Sequence, residues 1–250
     1  MAVPVNGAQS VDRALELLGA LADADGPVAL SVLAERVGLA APTAHRLVRS
    51  LTRHGYVRQD RSRRYLLGPQ LIFLGERANR LLAGWAAPYL ARLRDSTGET
   101  VNLAVLDDDE IVYLSQAVSR HQMRMFTEPG RRVLPHATAV GKALLATLPD
   151  DDVRALLRRT GMPASTPATR TDPDALLAEL DVVRRSGYAV DDEEQEAGVR
   201  CVAAAVPDAP TPMALSVSGP SGRIRDDVLE RFAAELRHTA RRLHEVLGSR

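Results

Sequence analysis

Six polar side chains near the start of the chain, none of them acidic, have the types and spacing of a surface that contacts an anionic polymer. They fall on the outer face of the helix expected between Pro42 and Gly55, and they are Thr43, His45, Arg46, Arg49, Ser50 and Arg53. Arginine can donate two hydrogen bonds to guanine in the major groove of DNA, and it also pairs with phosphate. The alternative is a solvated helix face, which is what surface arginines usually form.

A second basic group follows, in a stretch that predicts a β-hairpin. Residues 56–59 and 65–67 have strand character and flank a polar turn at residues 60–64. Within this hairpin lie Arg58, Arg61, Arg63 and Arg64. Each of these arginines could neutralise one phosphate, as the wing of a winged helix-turn-helix does.

The distribution of charge supports a nucleic-acid partner although the net charge of the whole chain is zero. Residues 1–80 hold eleven arginines against seven acids, a net charge of +4, whereas residues 81–250 hold 21 basic and 25 acidic residues, a net charge of −4. The chain therefore combines a basic head with an acidic body.

Residues 136–143 resemble a phosphate-binding loop because Gly141 and Lys142 precede a helical pattern, but the motif is incomplete. A P-loop requires a glycine five positions before the second glycine and a Ser or Thr after the lysine, and those positions hold His136 and Ala143. The remaining feature is a helix start with Thr138 as the expected cap. We expect no nucleotide cofactor.

Nucleophilic and metal chemistry are also disfavoured. Cys201 lies in an apolar strand pattern, where a thiol usually acts as a small hydrophobic group. The stretch around Ser216 and Ser218 lacks the leading glycine of G-x-S-x-G. The acidic run at 191–194, with Glu196, is of a kind that usually forms a solvated loop. No His or Cys stands near it at metal-ligand spacing, so no structural metal is expected there. We predict no catalytic residues, no metal and no cofactor.

Helical periodicity indicates the elements that must position the basic residues. The pattern predicts a first helix from Ser10, with Ser10 as its N-cap, and a second from near Ser31 to Val37. Gly38 stands where a left-handed C-terminal residue is needed, and a third helix starts at Pro42. These helices and the basic hairpin predict a winged helix-turn-helix at residues 1–68.

The rest of the chain predicts a connecting helix and a larger α/β domain. Residues 69–82 have a helical period and lie between the two charge regimes, and residues 83–250 alternate strand and helix patterns. We therefore expect a two-domain α+β protein whose second domain has a mainly antiparallel sheet. Ser216 and Ser218 should share one sheet face, because side chains alternate along a strand.

The head resembles the DNA-binding domain of IclR-type bacterial transcriptional regulators. The matching segments are LSVLAERVGL (30–39), PTAHRL (42–47), GYV (55–57) and YLLGP (65–69). The resemblance continues in the body through GETVNLAVL (98–106), HATAVGKA (136–143), GYAVDDEE (187–194), GVRCVAA (198–204) and SVSGP (216–220). The Pro-rich link at 206–213 departs from the family pattern by being a residue or two shorter.

This resemblance implies a GAF-like effector-binding body and a small organic ligand. The implied pocket residues are Ala139, Val140, Gly141, Asp191, Cys201, Ser216 and Ser218. Keto or hydroxy acids, aromatic acids, ureides and polyols all suit such a pocket. The resemblance also implies a homodimer or homotetramer on double-stranded operator DNA, more often as a repressor. A ligand-sensing metabolic enzyme and a DNA-binding scaffold without a ligand remain the alternatives.

Composition indicates the cellular compartment in which this protein is expected. Hydrophobic residues make up 45% and charged residues 26% of the 250 residues, which is typical of globular proteins. No apolar run approaches the length of a membrane span, and acids among the first 25 residues argue against a signal peptide. The single cysteine cannot form an internal disulfide. We expect a cytoplasmic protein that does not bind membranes.

Overall fold

The computed structural model describes residues 8–125 and 127–248, and the chain divides into two compact units between Ala78 and Asn79. This division falls within residues 69–82, where the sequence predicts a linker helix. The expected domains 1–68 and 83–250 also include residues 1–7 and 249–250, which lie outside the described residues. Each unit has its own apolar core.

The N-terminal unit is a three-helix bundle with a β-hairpin, as the helical periodicity predicts. Its elements are α1 (Gln9–Ala22), α2 (Leu30–Arg36), α3 (Ala41–Arg53), β1 (Val57–Gln59), β2 (Tyr65–Leu67) and the start of α4 (Gln70–Leu82). The N-cap prediction was wrong, because Ala8 occupies that position and Ser10 lies within the first turn of α1. Gly38 has a φ of 62°, which is the left-handed conformation predicted for the turn between α2 and α3.

Helix α3 is held by its apolar side, which leaves the opposite side free. Ala44 and Val48 are fully buried, and Val48 belongs to a core with Leu17, Leu33 and Val57. The hairpin packs beside this core because Val57 points inward, and β1 and β2 pair antiparallel. The arrangement is a helix-turn-helix followed by a two-stranded wing.

The C-terminal unit contains one six-stranded sheet with helices on both faces. Its remaining elements are α5 (Ala87–Thr97), β3 (Thr100–Asp107), β4 (Glu110–Ala117), β5 (Arg132–Val133), α6 (Ala139–Leu145), α7 (Asp150–Thr160), α8 (Pro173–Ser186), β6 (Ala189–Asp192), β7 (Val199–Ala205), β8 (Met213–Pro220) and α9 (Asp226–Gly248). The strand order is β5-β4-β3-β8-β7-β6, and every neighbouring pair is antiparallel. The short Pro-rich link leaves the pairing of β7 with β8 regular up to Ala205 and Ala214.

The two sheet faces have different partners. Helices α5 and α9 pack on one face through a large apolar cluster that includes Leu103, Leu215 and Leu236. Helix α6 packs on the other face against small residues such as Ala104 and Ala203, and α8 lies against α6. Small side chains under α6 leave room for polar groups on the same face.

Two cross-strand rows of polar residues lie on the α6 face. Strand registers place Asp191, Cys201, Ser218 and Thr100 in one row, and Ser216, Asn102 and Gln116 in the next. A register shift in β4 opposite Leu103 and Ala104 is a β-bulge. This bulge lets both Tyr113 and Gln116 face the same side, which strict alternation would not allow.

Candidate functional site

The outer face of α3 is a strip of unpaired positive charge. Arg46, Arg49 and Arg53 are exposed, as are His45 and Ser50. Among the described residues, none of these three guanidinium groups forms an ion pair or side-chain hydrogen bond. The sequence-predicted Thr43 is half-buried at the start of the helix, so it contributes less surface than the other five predicted residues.

The wing turn is shaped by its one acid, and its arginines are exposed. Asp60 Oδ1 accepts a hydrogen bond from the Arg64 backbone N–H at 2.8 Å, and Ser62 also donates to Asp60. The bond from Arg64 holds the pKa of the Asp60 carboxyl below its ordinary value. All four wing arginines, Arg58, Arg61, Arg63 and Arg64, are exposed.

The second site is a small cavity on the α6 face of the sheet. Its walls come from β4, β6, β7, β8, the start of α6 and the turn between β6 and β7. The lining residues are Tyr113, Met125, Thr127, Thr138, Ala139, Val140, Asp191, Gln195, Glu196, Val199, Cys201, Ser216 and Ser218. Asp191, Ser216 and Ser218 are nearly inaccessible to solvent, with relative exposures of 2%, 2% and 4%.

Six of the seven residues predicted for this pocket line it, and Gly141 does not. Gly141 packs instead against the backbone of Pro135, where an added Cβ would lie 2.1 Å from the Pro135 carbonyl oxygen. Its N–H is occupied by Thr138 Oγ1 at 3.1 Å, which confirms Thr138 as the helix cap. Gly141 therefore permits close packing and presents no free group to the cavity.

The cavity has a volume of about 30 Å³, enough for only a few water molecules. A larger molecule can enter only if a wall moves, and Gln195 and Glu196 lie in the turn between β6 and β7, which is partly open to solvent. A wider cleft of about 650 Å³ lies between α6, α8, α9 and the link from β7 to β8. None of the predicted site residues lines that cleft, and it lacks the buried polar groups of the smaller cavity.

Burial controls the ionisation of the cavity acids. Loss of water raises the pKa of Asp191 from 3.8 to about 6, although backbone N–H groups of Glu194 and Gln195 favour its charged form. Burial also raises the pKa of the Tyr113 hydroxyl and of the Cys201 thiol. Cys201 is therefore a protonated thiol at neutral pH, unlike the thiolate that nucleophilic catalysis needs.

A buried ion pair holds the cavity wall in place. Lys142, on α6, is fully buried, and its Nζ lies 2.5 Å from Glu194 Oε1 and 2.7 Å from Glu179 Oε1. Glu194 belongs to the turn after β6, and its backbone N–H donates to Asp191 Oδ1 at 2.8 Å. A solvated loop, which is what an acidic run usually forms, is not found at Glu194, because its burial provides Lys142 with this partner. Asp191 is buried in the cavity wall, where the family resemblance places it.

His136 is a neutral neighbour of this network. Its Nε2 lies 3.1 Å from the Pro163 carbonyl oxygen, and burial lowers the pKa of its ring.

Within the described residues, no group of three or more His, Cys, Asp and Glu side chains is placed to hold a metal ion. In the same part of the chain, no helix has the length and apolar character needed to cross a bilayer.

Sequence reasoning missed several residues that complete the site. Tyr113, Thr127, Gln195 and Glu196 line the cavity, and Asn102 lies beneath its serines. Asn102 left a signal, because it is a lone polar residue in an apolar strand. The contribution of Tyr113 depends on the β-bulge in β4, for which the sequence carries no comparable mark.

Comparisons with known proteins agree over nearly the whole chain. Residues 10–61 match the IclR helix-turn-helix domain, and residues 78–245 match the family described as bacterial transcriptional regulator IclR C-terminal. The chain is 38% identical to the transcriptional repressor IclR of Escherichia coli K12, covering 96% of this chain and 90% of that protein. It is 36% identical to the regulator KdgR of the same organism, covering 96% and 92%.

Solved structures show the same two-unit architecture. An IclR transcriptional regulator from Alicyclobacillus acidocaldarius superposes with a TM-score of 0.84 at 31% identity, covering 98% of this chain and 99% of that one. An IclR homologue from Microbacterium hydrocarbonoxydans, solved with 4-hydroxybenzoate, superposes with a TM-score of 0.81 at 24% identity, covering 96% and 100%. At that identity the second structure supports the fold alone.

The raised pKa of Asp191 predicts a pH-dependent difference between the wild type and Asp191→Asn. Between about pH 4 and pH 6 the folded wild type binds more protons than the unfolded chain, so its stability falls as pH rises. Asp191→Asn has no such carboxyl to titrate. The free energy of unfolding of Asp191→Asn minus that of the wild type should therefore rise by about 3 kcal/mol between low and neutral pH. Urea unfolding at several pH values measures this, and a difference independent of pH would contradict it.

The buried ion pair predicts unequal effects for two substitutions around Glu179. Lys142→Met leaves Glu194 and Glu179 without their buried cation and should lower the free energy of unfolding by about 3–5 kcal/mol. Arg170→Met removes a half-exposed partner of Glu179 and should cost less than about 1 kcal/mol. Urea denaturation of both variants tests the contrast, and equal losses would disprove it.

Proposed function

This chain belongs to the IclR family of bacterial transcriptional regulators, and we propose that it is a repressor whose operator affinity is set by a small organic effector. The N-terminal unit binds double-stranded DNA, and the C-terminal unit binds the effector. The observation that carries this proposal is the acid-free, unpaired arginine strip on α3, next to an arginine-rich wing. Repression is supported by relatives that are named as repressors.

The two basic surfaces have separate roles in this proposal. Arg46, Arg49 and Arg53 enter the major groove with His45, Ser50 and Thr43, where base edges determine sequence preference. The wing residues Arg58, Arg61, Arg63 and Arg64 neutralise phosphates and set the register of the protein on the duplex.

The effector occupies the cavity beside Asp191. Ala139 and Val140 form its apolar wall, and Asp191, Cys201, Ser216 and Ser218 supply polar contacts. Keto and hydroxy acids, aromatic acids, ureides and polyols are the ligand classes under consideration. Because the cavity holds only a few water molecules, any of these requires a wall to move, and we assign that movement to the turn that carries Gln195 and Glu196.

That displacement provides a route from effector to operator. A ligand shifts a conformational equilibrium only if it binds one arrangement more tightly than another. The effector requires the widened cavity, so it favours whatever arrangement of the regulator accompanies a displaced turn. Its differential affinity then appears as a change in operator affinity.

We further propose that the regulator is a homodimer or homotetramer. Val11 and Leu15 on α1 are 54% and 60% exposed, and Ile72 and Phe73 on α4 are 66% and 54% exposed. Apolar side chains exposed to this degree on a regulator that binds DNA are typical of subunit contacts. In this assignment residues 69–82 connect a DNA-binding domain at 1–68 to an effector domain at 83–250.

The chain has no catalytic role in this proposal, and it acts in the cytoplasm. The curated relatives are named as transcriptional regulators. The raised pKa of the Cys201 thiol and the occupied Lys142 ammonium remove the two most reactive buried groups from nucleophilic chemistry.

Footprinting tests the proposal as a whole. We expect the purified protein to protect a defined site in the DNA flanking its own gene, and one metabolite of a small panel to change that protection. The lowest salt concentration is the most permissive condition, because phosphate contacts strengthen as salt falls. Absence of protection there would overturn the DNA-binding assignment.

Substitution of two arginines should separate base recognition from phosphate contact. Arg46→Ala should cost about 1–3 kcal/mol on the operator and relax sequence preference, because Arg46 is assigned to a base edge. Arg63→Ala should weaken binding to all sequences and reduce the slope of log K against log salt by about 1. Equilibrium titrations on operator and scrambled DNA distinguish them, and an equal loss on both DNAs for Arg46→Ala would refute base recognition.

A further inference from the structure

The two serines of the cavity share a buried hydrogen-bond donor. Asn102, on β3, is 1% exposed, and its Nδ2 lies 3.2 Å from Ser216 Oγ and 3.2 Å from Ser218 Oγ. Gln116, on β4, orients this amide by donating from Nε2 to Asn102 Oδ1 at 2.9 Å. Neither Asn102 nor Gln116 lines the cavity.

This arrangement sets the direction in which the serine hydroxyls point their hydrogens. A serine hydroxyl has one hydrogen to donate and lone pairs that accept. Each Oγ accepts from Asn102, so neither hydroxyl hydrogen points toward that amide, and each is left to donate to the neighbouring serine, to the Cys201 sulfur or to a ligand in the cavity. The two oxygens lie 3.5 Å apart, close enough for both hydroxyls to donate to the same ligand group.

The opposite wall presents an acceptor. Asp191 Oδ1 already accepts from the backbone N–H groups of Glu194 and Gln195, at 2.8 Å and 3.3 Å. Oδ2 is the carboxylate oxygen that remains for a ligand, beside the Cys201 thiol. Because no Lys, Arg or His is among the described lining residues, hydroxyl, thiol and amide hydrogens are the side-chain donors that the cavity offers to a carboxylate.

We infer that Asn102, oriented by Gln116, is a positioning residue that determines effector selectivity. By making both serine hydroxyls donors, it selects an effector that presents a carboxylate or carbonyl oxygen to the serines and a hydroxyl to Asp191. A short 2-hydroxy acid has both groups on adjacent carbons. This inference rests on the proposed function of the cavity and narrows its ligand classes to one.

The first test compares matched ligands on the wild-type protein. Glycolate, lactate and 2-hydroxybutyrate are titrated beside ethylene glycol, 1,2-propanediol and 1,2-butanediol, which carry a hydroxymethyl group in place of the carboxylate. Calorimetry and operator titration are the readouts. We expect at least one acid to bind and alter operator affinity, with its matching diol at least about 100-fold weaker, because hydrogen bonds to a charged acceptor are the stronger ones.

The second test reverses the hydrogen-bond direction without changing side-chain size. The ionised carboxylate of Asn102→Asp can only accept, so the serine hydroxyls turn toward it and away from the ligand. Gln116→Glu also accepts only, so Asn102 must rotate its amide and present Oδ1 to the serines. Both variants should lose at least about 100-fold in affinity for the acid, because two donors to a charged group disappear.

Controls separate hydrogen-bond direction from charge and from folding. Gln122→Glu makes the same charge change at an exposed residue outside the network, and it should keep acid affinity within about threefold because exposed charges are screened. Ser218→Ala removes one donor without adding charge and should cost about tenfold for the acid. Operator binding without ligand reports folding for every variant.

Each outcome decides the inference. Acid-selective binding that both network variants abolish, in proteins that still bind the operator, supports it. Equal binding of acid and diol, no response to any of the three acids, or wild-type acid affinity in Asn102→Asp and Gln116→Glu would overturn it. Failure of the wild type to bind any operator would instead defeat the proposed function, so the two failures are distinguishable.

Discussion

The C-terminal unit is organised around one buried cation. The Lys142 ammonium on α6 cannot remain charged in the interior without close partners, so Glu194 and Glu179 must both turn inward. Burial of Glu194 determines the path of the chain after β6, where hydroxyls of Thr166 and Thr169 also bind its backbone carbonyl groups. That path brings the Glu194 N–H to Asp191 and so fixes which carboxylate oxygen faces the cavity. One ion pair thereby links the core helix to the polar wall of the cavity.

The same arrangement explains how a rigid sheet can carry the effector site that we propose, with one movable wall. Asn102, Ser216 and Ser218 lie on central strands, where backbone pairing on both sides holds them in place. Gln195 and Glu196 lie in a turn and are more exposed, so less packing resists their movement. Fixed hydrogen-bonding groups on strands and a movable wall on a turn let a site bind a ligand more tightly in one conformation than in the other.

Several buried polar groups in this unit are held in a hydrogen-bond network. The Gln116, Asn102, Ser216 and Ser218 chain satisfies most of its own hydrogen bonds, so the sheet tolerates it in an otherwise apolar interior. Burial keeps the Cys201 thiol and the Tyr113 hydroxyl protonated at neutral pH. The groups that resemble catalytic residues in the sequence are therefore hydrogen-bonding or packing residues in the structure.

Sequence patterns were sufficient for the helices, the main strands and the basic surface of α3, because periodicity and local motifs specify which face of an element is buried. Six of the seven residues that the family resemblance implied for a pocket line the cavity. Sequence patterns were insufficient where a residue's role depends on a distant partner. Gly141 was assigned to the cavity, but its close approach to Pro135 shows that it is needed for packing. The acidic run by itself would place Glu194 in solvent, and only the position of Lys142 on a separate helix draws Glu194 inward. Asn102 acquires its role from strands β4 and β8, and Tyr113 from a β-bulge. Local sequence determines the faces of helices and strands, whereas the charge pairs and hydrogen-bond directions of the site exist only once the fold brings distant segments together.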